Sequence, residues 1–258
     1  MEQKPLVIKL LYLARNLRSK ALFKALKCYC RGEVLDIGGW DFYLIARRKN
    51  LNFNSWTSLE CSSEKALEID DKRYRFCVGD GCNLEYEDNS FDTILNVHVL
   101  EHVFEPIKMV KEISRVLKIN GYAIFLIPQT STMHMAPHHY YNFTRFWIKE
   151  VMERVGLDIV QIKPLGGLWS SMASHLVFFF LQSFRLRGMS IKENKRNLLF
   201  YFLYPFMVLY AIISIPVCLI LSLGDLTEEP NNYLVIVKNG KQSISAKYYP
   251  DNLNHSID

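Results

Sequence analysis

Three carboxylates occupy similar places in the sequence, each at the end of a short β-rich run. Asp36 lies in segment 34–39 (VLDIGG), Glu60 closes the second run, and Asp80 follows the third. Glycines after a buried strand let the backbone approach a ligand closely, and a carboxylate ending the next strand can accept hydrogen bonds from both ribose hydroxyls. Each carboxylate alone could equally cap a helix or form a turn. Together they predict a nucleoside site, because ligands bind at the carboxyl ends of parallel strands.

A group of histidines follows the fifth predicted strand, where substrate-facing loops emerge in such a sheet. His134, His138 and His139 could include a general base if the acceptor is a hydroxyl, and His139 is the leading candidate. Each could instead lie in a surface loop or make only structural hydrogen bonds. No metal site is expected, because His138 and His139 are adjacent and no acidic residue lies at a ligand-like spacing from them. His102 could border the same pocket or cap the next helix.

The elements that must position these residues alternate between β-rich runs and helical patterns, which favours a parallel sheet flanked by helices. One helix should begin at Pro106 and end at Asn120-Gly121. Another should begin after Thr144 and end at Gly156. The predicted strands are Val34–Gly38, Ser55–Glu60, Arg75–Gly79, Phe91–Val97, Tyr122–Ile127, Leu157–Lys163 and Tyr233–Lys238.

Five segments together have the order and spacing found in one known family. They are 34–39 (VLDIGG), Phe91-Asp92, 99–103 (VLEHV), 112–118 (EISRVLK) and Asn120-Gly121. The family that they resemble is the type 11 methyltransferases, and the resemblance covers about Gly32 to Pro164. It implies a class I S-adenosylmethionine-dependent methyltransferase with an α/β fold. Its Rossmann-like, seven-stranded sheet would have helices on both faces and an antiparallel last strand.

The resemblance also implies roles for individual residues around S-adenosylmethionine. The family usually has a further glycine where this chain has Trp40, so the first loop must be shaped differently here. Segments 138–144 (HHYYNFT) and 164–167 (PLGG) resemble a subgroup associated with surface-polysaccharide or lipid-linked glycan assembly. The implied contacts are Asp36, Gly38 and Gly39 at the methionine end, Glu60 at the ribose, Asp80, Gly81 and Cys82 at the adenine, and Asn96, Val97 and His98 along the other flank.

The charge of the chain is concentrated near its N-terminus. The formal net charge is +5, and residues 1–31 carry much of the excess on a basic, amphipathic helical pattern. This helix could pack over the catalytic domain with a solvated basic side, or it could lie on anionic lipid headgroups. Nucleic acid is not expected as a partner, because no recognisable binding module accompanies the charge. The six cysteines form no metal-knuckle spacing and indicate a reducing compartment.

A hydrophobic insertion separates the last two predicted strands, from about Gly166 to Pro230. Its first apolar run is Leu168–Phe184, and its second, Leu198–Leu223, has no charged residue and exceeds the roughly 20 residues that span a bilayer. Pro205 and Pro216 should interrupt the second run. The favoured interpretation is a pair of kinked helices in the cytoplasmic leaflet, with the basic loop between them among the headgroups. A buried bundle, a dimer interface and true spanning are the alternatives.

The sequence therefore predicts a methyltransferase at the inner face of a membrane, acting on a hydroxyl or other nucleophile of a small-molecule or lipid-linked acceptor. A catalytically inactive scaffold of the same fold is the alternative, and a nicotinamide-dependent enzyme is disfavoured because the Gly-x-Gly-x-x-Gly spacing is absent. The oligomeric state stays open. The expected organisation is a basic helix at 1–31, a methyltransferase core at 32–165, a hydrophobic insertion at 166–230, a closing strand at 231–238 and a polar tail at 239–258.

Overall fold

A computed structural model describes residues 19–183 and 196–240 of the chain. These residues form a sheet of seven strands with helices on both faces. The strands are β1 (Glu33–Ile37), β2 (Ser55–Glu60), β3 (Tyr74–Val78), β4 (Phe91–Val97), β5 (Leu117–Pro128), β6 (Asp158–Leu165) and β7 (Asn232–Lys238). The helices are α1 (residues 19–29), α2 (Phe42–Arg48), α3 (Pro106–Val116), α4 (Arg145–Arg154), α5 (Leu168–Ser183) and α6 (Leu198–Leu221).

The order of the strands across the sheet is β3-β2-β1-β4-β5-β7-β6. Neighbouring strands from β3 to β5 are parallel, whereas β7 lies antiparallel between β5 and β6. Both the Rossmann-like sheet and its antiparallel last strand were predicted, and both are confirmed. The predicted basic helix at 1–31 is described only from residue 19, and residues 19–29 are helical. Its first 18 residues, most of the loop between α5 and α6, and the polar tail from residue 241 lie outside the described residues.

Local sequence signals predicted several ends of helices correctly. Pro106 begins α3, the Thr144 hydroxyl accepts the Trp147 backbone N–H at 3.3 Å, and Gly156 has a φ of +77° after α4. The prediction that α3 ends at Asn120-Gly121 is wrong. The helix ends at Val116 and β5 begins at the next residue, because the Leu117 side chain is buried and its backbone joins the ladder beside β4.

Two apolar layers hold the helices on the sheet. On one face, α3 and α4 cover side chains such as Ile94 and Phe125. On the other face, α1 and α2 pack over an aromatic group in which the Trp56 ring makes edge contacts with the Tyr43 and Phe53 rings at centroid distances of 6.0 and 5.2 Å. Burial of this apolar area on both faces is the main stabilising contribution to the fold.

The insertion forms an antiparallel helical pair whose base is fixed at the sheet. The Asp225 carboxylate accepts the backbone N–H groups of Trp169 at 2.7 Å and Ser170 at 3.0 Å, which joins the start of α5 to the chain after α6. Contrary to the sequence prediction, Pro205 and Pro216 do not interrupt the second helix, which runs through both. Within the described ranges, one segment is long and apolar enough to cross a membrane, Leu198–Gly224, with a mean hydropathy of 2.6.

Arg115 supports the loop that follows the third strand. Its guanidinium donates to the Glu112 carboxylate, to the Asp88 carboxylate at 2.9 Å and to the carbonyls of Leu84 and Tyr86, both at 2.8 Å. The Glu112 carboxylate in turn accepts the Leu84 backbone N–H at 2.9 Å. Residues 84–88 are therefore held to α3 by hydrogen bonds to charged groups, which are stronger than neutral ones.

We expect Arg115→Ala to lower the free energy of unfolding by about 2 to 3 kcal/mol, because several charge-assisted hydrogen bonds are lost together. Arg154→Ala is the matched control, since Arg154 pairs with Glu150 on the exposed face of α4 and such a pair contributes about 0.5 kcal/mol. Chemical denaturation of both variants measures the difference. Equal losses in the two variants would contradict a special role for Arg115.

Candidate active site

The loop after β1 needs glycine at two successive positions. Gly38 has a φ of +71°, and a Cβ there would lie 2.7 Å from the Val99 Cγ2 atom. A Cβ on Gly39 would lie 1.9 Å from the Asp36 Oδ2 atom. A side chain at either position therefore collides with its surroundings, and the backbone stays open to a close approach from the cleft side.

The Asp36 carboxyl group lies directly beneath this loop. It is fully buried, and neither oxygen accepts a hydrogen bond of normal geometry from the described residues, although the Trp56 side chain lies close enough to lower its pKa. Its burial, together with the nearby Glu60 carboxylate, raises the pKa of Asp36 to about 8. An unpartnered polar group in the interior destabilises the folded chain unless a ligand or water completes its hydrogen bonds. This group fits a ligand-binding role at the end of β1.

Glu60 is more enclosed than the sequence predicted. Only 2% of its surface is exposed, and its two oxygens accept the Trp40 backbone N–H at 2.6 Å and pair with the Lys65 ammonium at 2.9 Å. The Trp40 backbone adopts a φ of 43°, a left-handed conformation that favours glycine, while 53% of its side chain surface is exposed. The carboxylate keeps further lone pairs for ribose hydroxyls, since it has about four acceptor sites.

The turn after β3 contains the residues expected at the adenine. Asp80 is exposed, and its Oδ1 atom accepts the Cys82 backbone N–H at 2.8 Å, so this carboxylate also shapes the turn. A Cβ on Gly81 would lie 2.4 Å from the Met109 Cε atom, which explains the glycine. Burial raises the pKa of the Cys82 thiol to about 11, so the thiol is uncharged at neutral pH.

Of the three cofactor contacts predicted at the end of β4, one lies in the interior and two line the cleft. The Asn96 side chain is buried and donates to the Met109 sulfur at 3.3 Å, so it does not line the cleft as predicted. Val97 and His98 do line it. His98 has a φ of 56°, and its Nδ1 atom lies 3.3 Å from the Glu101 Oε1 atom. The His98 side chain therefore lies between the cleft and the segment that follows β4.

One large cleft, of about 1710 Å³, joins these features at the carboxyl edge of the sheet. Its walls include the glycine loop of β1, the end of β4, the chain after β5, and helices α1 and α2. The base of the α5–α6 pair contributes Ser174 of α5, with Leu165 and Asn231 on either side of the insertion. Asp36, Glu60 and Asn96 are buried rather than among the lining residues, and the Asp80–Cys82 turn does not contribute to this lining. The predicted site residues that line it are Gly38, Gly39, Val97, His98 and His134.

Three imidazole rings meet beside the cleft. The His134 ring centroid lies 4.7 Å from that of His102 and 4.6 Å from that of His139. His138 does not join them, since its exposed side chain lies beside the Tyr140 hydroxyl while its carbonyl accepts a hydrogen bond from the His102 ring. His102, which the sequence left undecided between pocket and helix cap, therefore replaces His138 in the cluster.

The hydrogen bonds of these rings decide which nitrogen can accept a proton. The His139 Nδ1 atom already accepts the His134 backbone N–H at 3.2 Å, and burial followed by the charges of His134 and His102 lowers the pKa of His139. The His134 Nδ1 atom donates to the Thr132 carbonyl at 2.8 Å, so its Nε2 atom carries the free lone pair. The geometry therefore favours His134 over His139, the leading candidate from the sequence, as a base.

Comparison with a collection of family models identifies a methyltransferase domain in this chain. The matched residues are 51–125, which include four of the five segments that resemble the family; the first segment, 34–39, lies outside the match. The match confirms the prediction of a methyltransferase and, with it, of S-adenosylmethionine as the cofactor. A comparison with curated proteins finds no match.

Solved structures show the same fold at low sequence identity. One is from the complex between the Haloferax volcanii Trm112 methyltransferase activator and its methyltransferase, with 15% identity, a TM-score of 0.57, and coverage of 88% of this chain and 92% of that chain. Another is a phosphoethanolamine N-methyltransferase 2 from Haemonchus contortus in complex with S-adenosyl-L-methionine. Its identity is 15% and its TM-score is 0.55, and the alignment covers 88% of this chain and 53% of that chain. These likenesses confirm the Rossmann-like methyltransferase fold.

The raised pKa of Asp36 predicts a particular pH dependence of stability in the cofactor-free protein. Between pH 4 and pH 8 the folded chain holds a proton on this carboxyl group that the unfolded chain releases, so its contribution to stability falls as the pH rises. Asp36→Asn removes this titration. We expect the free energy of unfolding of the variant, relative to the parent, to be higher at pH 8 than at pH 5 by about 1 kcal/mol or more.

Denaturant titrations at the two pH values measure this difference. Asp80→Asn is the control for removal of a carboxylate, because the Asp80 side chain is exposed at the same edge of the sheet. A parallel pH profile for Asp36→Asn and the parent would show that Asp36 is ionised in the folded protein, contrary to the expectation.

Proposed function

We propose that this chain transfers a methyl group from S-adenosylmethionine to a hydroxyl, or another nucleophile, of a membrane-associated acceptor at the inner face of a membrane. The observation that carries the proposal is the shared cleft. The glycine loop expected to hold the cofactor, the histidine that can take a proton, a basic helix and the base of the apolar helical pair all line the same space.

The cofactor half of the proposal depends on the end of β1. Gly38 and Gly39 leave room for a ligand to approach the backbone, and the unpartnered Asp36 carboxyl group beneath them is available for the polar methionine end. Glu60 would hold the ribose and the Asp80 turn the adenine. S-adenosylmethionine supplies an electrophilic methyl group when bound. The protein must align the acceptor with that group and exclude water.

The acceptor half depends on the wall opposite the glycine loop. His134 lines the cleft and has a free Nε2 lone pair, so it can take the proton of an acceptor hydroxyl as the new carbon–oxygen bond forms. Ser131 and Thr132 line the same wall and offer hydroxyl groups for hydrogen bonds to a polar acceptor.

The charge around the cleft indicates the class of acceptor. Side chains from α1 and α2 give the cleft a cationic rim over an apolar surface, which suits an amphiphile with an anionic group. Lipid-linked saccharides and phosphorylated isoprenoids have this chemistry. The cationic lining residues are Lys20, Lys24, Lys27, Arg48 and Lys49, and the apolar ones include Leu22, Phe23, Phe42, Leu44 and Ile45.

The second helix of the insertion supports attachment to a membrane. Only 11% of its most apolar window is buried, and large apolar side chains such as Phe202, Phe206 and Ile220 are exposed. Exposed apolar surface on this scale marks contact with a membrane or another protein. Because Ser174 of α5 lines the cleft and α5 packs against α6, a membrane around this pair would bring a lipid-borne acceptor close to the proposed site.

The inactive scaffold stays as a second candidate because of the loop at Trp40. The Trp40 backbone keeps the left-handed conformation that glycine favours, but its half-exposed indole side chain lines the cleft, where the family glycine would leave open space. Cofactor binding separates the two functions, since the scaffold needs none.

Calorimetric titration with S-adenosylmethionine is the test of the cofactor half. We expect the parent protein to bind, and Gly39→Ala to weaken binding at least tenfold, which is about 1.4 kcal/mol, because the new methyl group collides with the Asp36 carboxyl group. Gly224→Ala is the control, since a Cβ there meets nothing within 4 Å. No binding by the folded parent would favour the scaffold.

Sedimentation with phospholipid vesicles tests the membrane half. We expect Lys24→Gln/Lys27→Gln to weaken binding to vesicles rich in anionic lipid by about tenfold or more, because each lysine near such a surface contributes about 1 kcal/mol. Lys111→Gln/Lys149→Gln, on α3 and α4 at the opposite face of the sheet, is the control. A parent protein that stays in the supernatant without detergent would contradict membrane attachment.

A further inference from the structure

We infer that Glu101, His102 and His134 form a binding site for one divalent transition-metal ion of the zinc type. Each offers one ligand atom, and these three atoms all lie within 4.8 Å of one another. Donor atoms around a tetrahedral zinc ion are about 3.3 Å apart, so shifts of about 1 Å in the side chains bring the three atoms to that spacing. Two imidazoles and one carboxylate are an established ligand set for this kind of ion.

Both imidazoles are already oriented as metal ligands. The His134 Nδ1 atom donates to the Thr132 carbonyl at 2.8 Å, and the His102 Nδ1 atom hydrogen-bonds to the His138 carbonyl. A ring nitrogen that bonds a carbonyl carries the proton, so the Nε2 atom of each ring is left with its lone pair. Backbone carbonyls hold metal-bound histidines in this way, because the hydrogen bond fixes the tautomer and the direction of the ring.

The buried Glu101 carboxylate is the second, independent observation. It is fully buried, and neither of its oxygens accepts a hydrogen bond from the residues that the structure describes. The nearest cationic candidates are His98 Nδ1 at 3.3 Å and His102 Nε2 at 3.9 Å. An ionised carboxylate in the interior is strongly destabilising unless a charge or a metal ion compensates it. A divalent ion between Glu101 and the two rings provides that compensation.

The chemistry of the ligands selects the metal. Imidazole nitrogens favour zinc, copper, iron and nickel, whereas magnesium and calcium prefer oxygen ligands. Three protein ligands leave one position of a tetrahedral ion open, which is the arrangement found in catalytic zinc sites and not in structural ones. Because His134 lines the cleft, that open position would face the space assigned to the acceptor.

A role for the ion follows if the proposed function is correct. A hydroxyl oxygen in the open position would lose its proton to solvent at a lower pH than when free, and its electron pair would then form the bond to the methyl carbon while the sulfur–carbon bond breaks and its pair stays on sulfur. In that state the His134 Nε2 atom is a ligand, and the ion performs the activation otherwise given to His134. Metal binding itself does not depend on this role.

The test uses the full-length protein in detergent, stripped with a chelator and then titrated with Zn²⁺, with bound metal measured by elemental analysis. The expected result is one zinc ion per chain and no comparable binding of Mg²⁺. Glu101→Gln and His134→Gln should each weaken zinc binding at least tenfold. His175→Gln is the matched control, because the His175 Nδ1 atom also bonds a backbone carbonyl, that of Ser171 at 2.8 Å, outside the cluster.

The spectrum of bound Co²⁺ provides a second measurement. The parent protein should give visible absorption bands of a nitrogen–oxygen site, and both cluster variants should lose them while His175→Gln keeps them. Zinc binding that is absent from the parent, or equally strong in the parent and in His134→Gln, overturns the inference. If Glu101→Gln does not fold, the partly exposed His134 position decides alone.

Binding of S-adenosylmethionine is measured on the same samples, so that the two proposals fail separately. A parent protein that binds S-adenosylmethionine but no zinc overturns the metal site and leaves the proposed function. A parent protein that binds zinc but no S-adenosylmethionine leaves the metal site and overturns the proposed function.

Discussion

The structure depends on a carboxyl group that the chain buries without a partner. Asp36 lies at the end of β1 under two glycines, and its burial raises its pKa to about 8. A side chain at Gly38 would collide with Val99, and one at Gly39 would collide with Asp36 itself. The loop above the carboxyl group therefore requires residues without side chains. This arrangement is unfavourable for the folded chain alone. A polar ligand or water that completes the hydrogen bonds of this carboxyl group would remove the penalty.

The same edge of the sheet also brings distant parts of the chain together. Strand β7 pairs with both β5 and β6, so the apolar helical pair must leave and return at the sheet edge. Asp225 joins its two ends by accepting N–H groups from the start of α5. The cleft is therefore bounded by the glycine loop on one side and by the base of the insertion on another. A membrane contact made by α6 would therefore lie near the proposed site of methyl transfer.

The sequence predicted the sheet well because its signals there are local. Short β-rich runs marked β2 and β4 at the observed residues, and the cap at Thr144 needed only its own helix. The prediction for the end of α3 is wrong because Asn120-Gly121, a pair that often ends a helix, here lies inside β5. Asn120 has a φ of 65° and donates its backbone N–H to the Asn239 carbonyl at 2.8 Å. The Asn239 backbone N–H donates in return to the Gly121 carbonyl at 3.0 Å, not to Asn120, and Asn239 is more than a hundred residues away along the chain.

The site was predicted less completely, because its contacts are long-range. Glu101 entered the sequence analysis only as part of segment 99–103, and only folding places its carboxylate beside His134. His138 has the same residue type as His139, but the turn between them directs its side chain outward. The enclosure of Glu60 by Trp40 and Lys65 likewise depends on loop geometry. The predicted strand ends indicated which residues lie at the same edge of the sheet. The direction of each side chain depends on packing, which the sequence pattern does not show.

A crystal structure with S-adenosylhomocysteine is the most direct test of the central claim. The account predicts the amino acid end of this molecule at Gly38 and Gly39, above Asp36, with its ribose hydroxyls donating to Glu60. Density for the molecule elsewhere on the protein, or a Trp40 side chain filling the space over Gly39 in crystals soaked at saturating concentration, would contradict it.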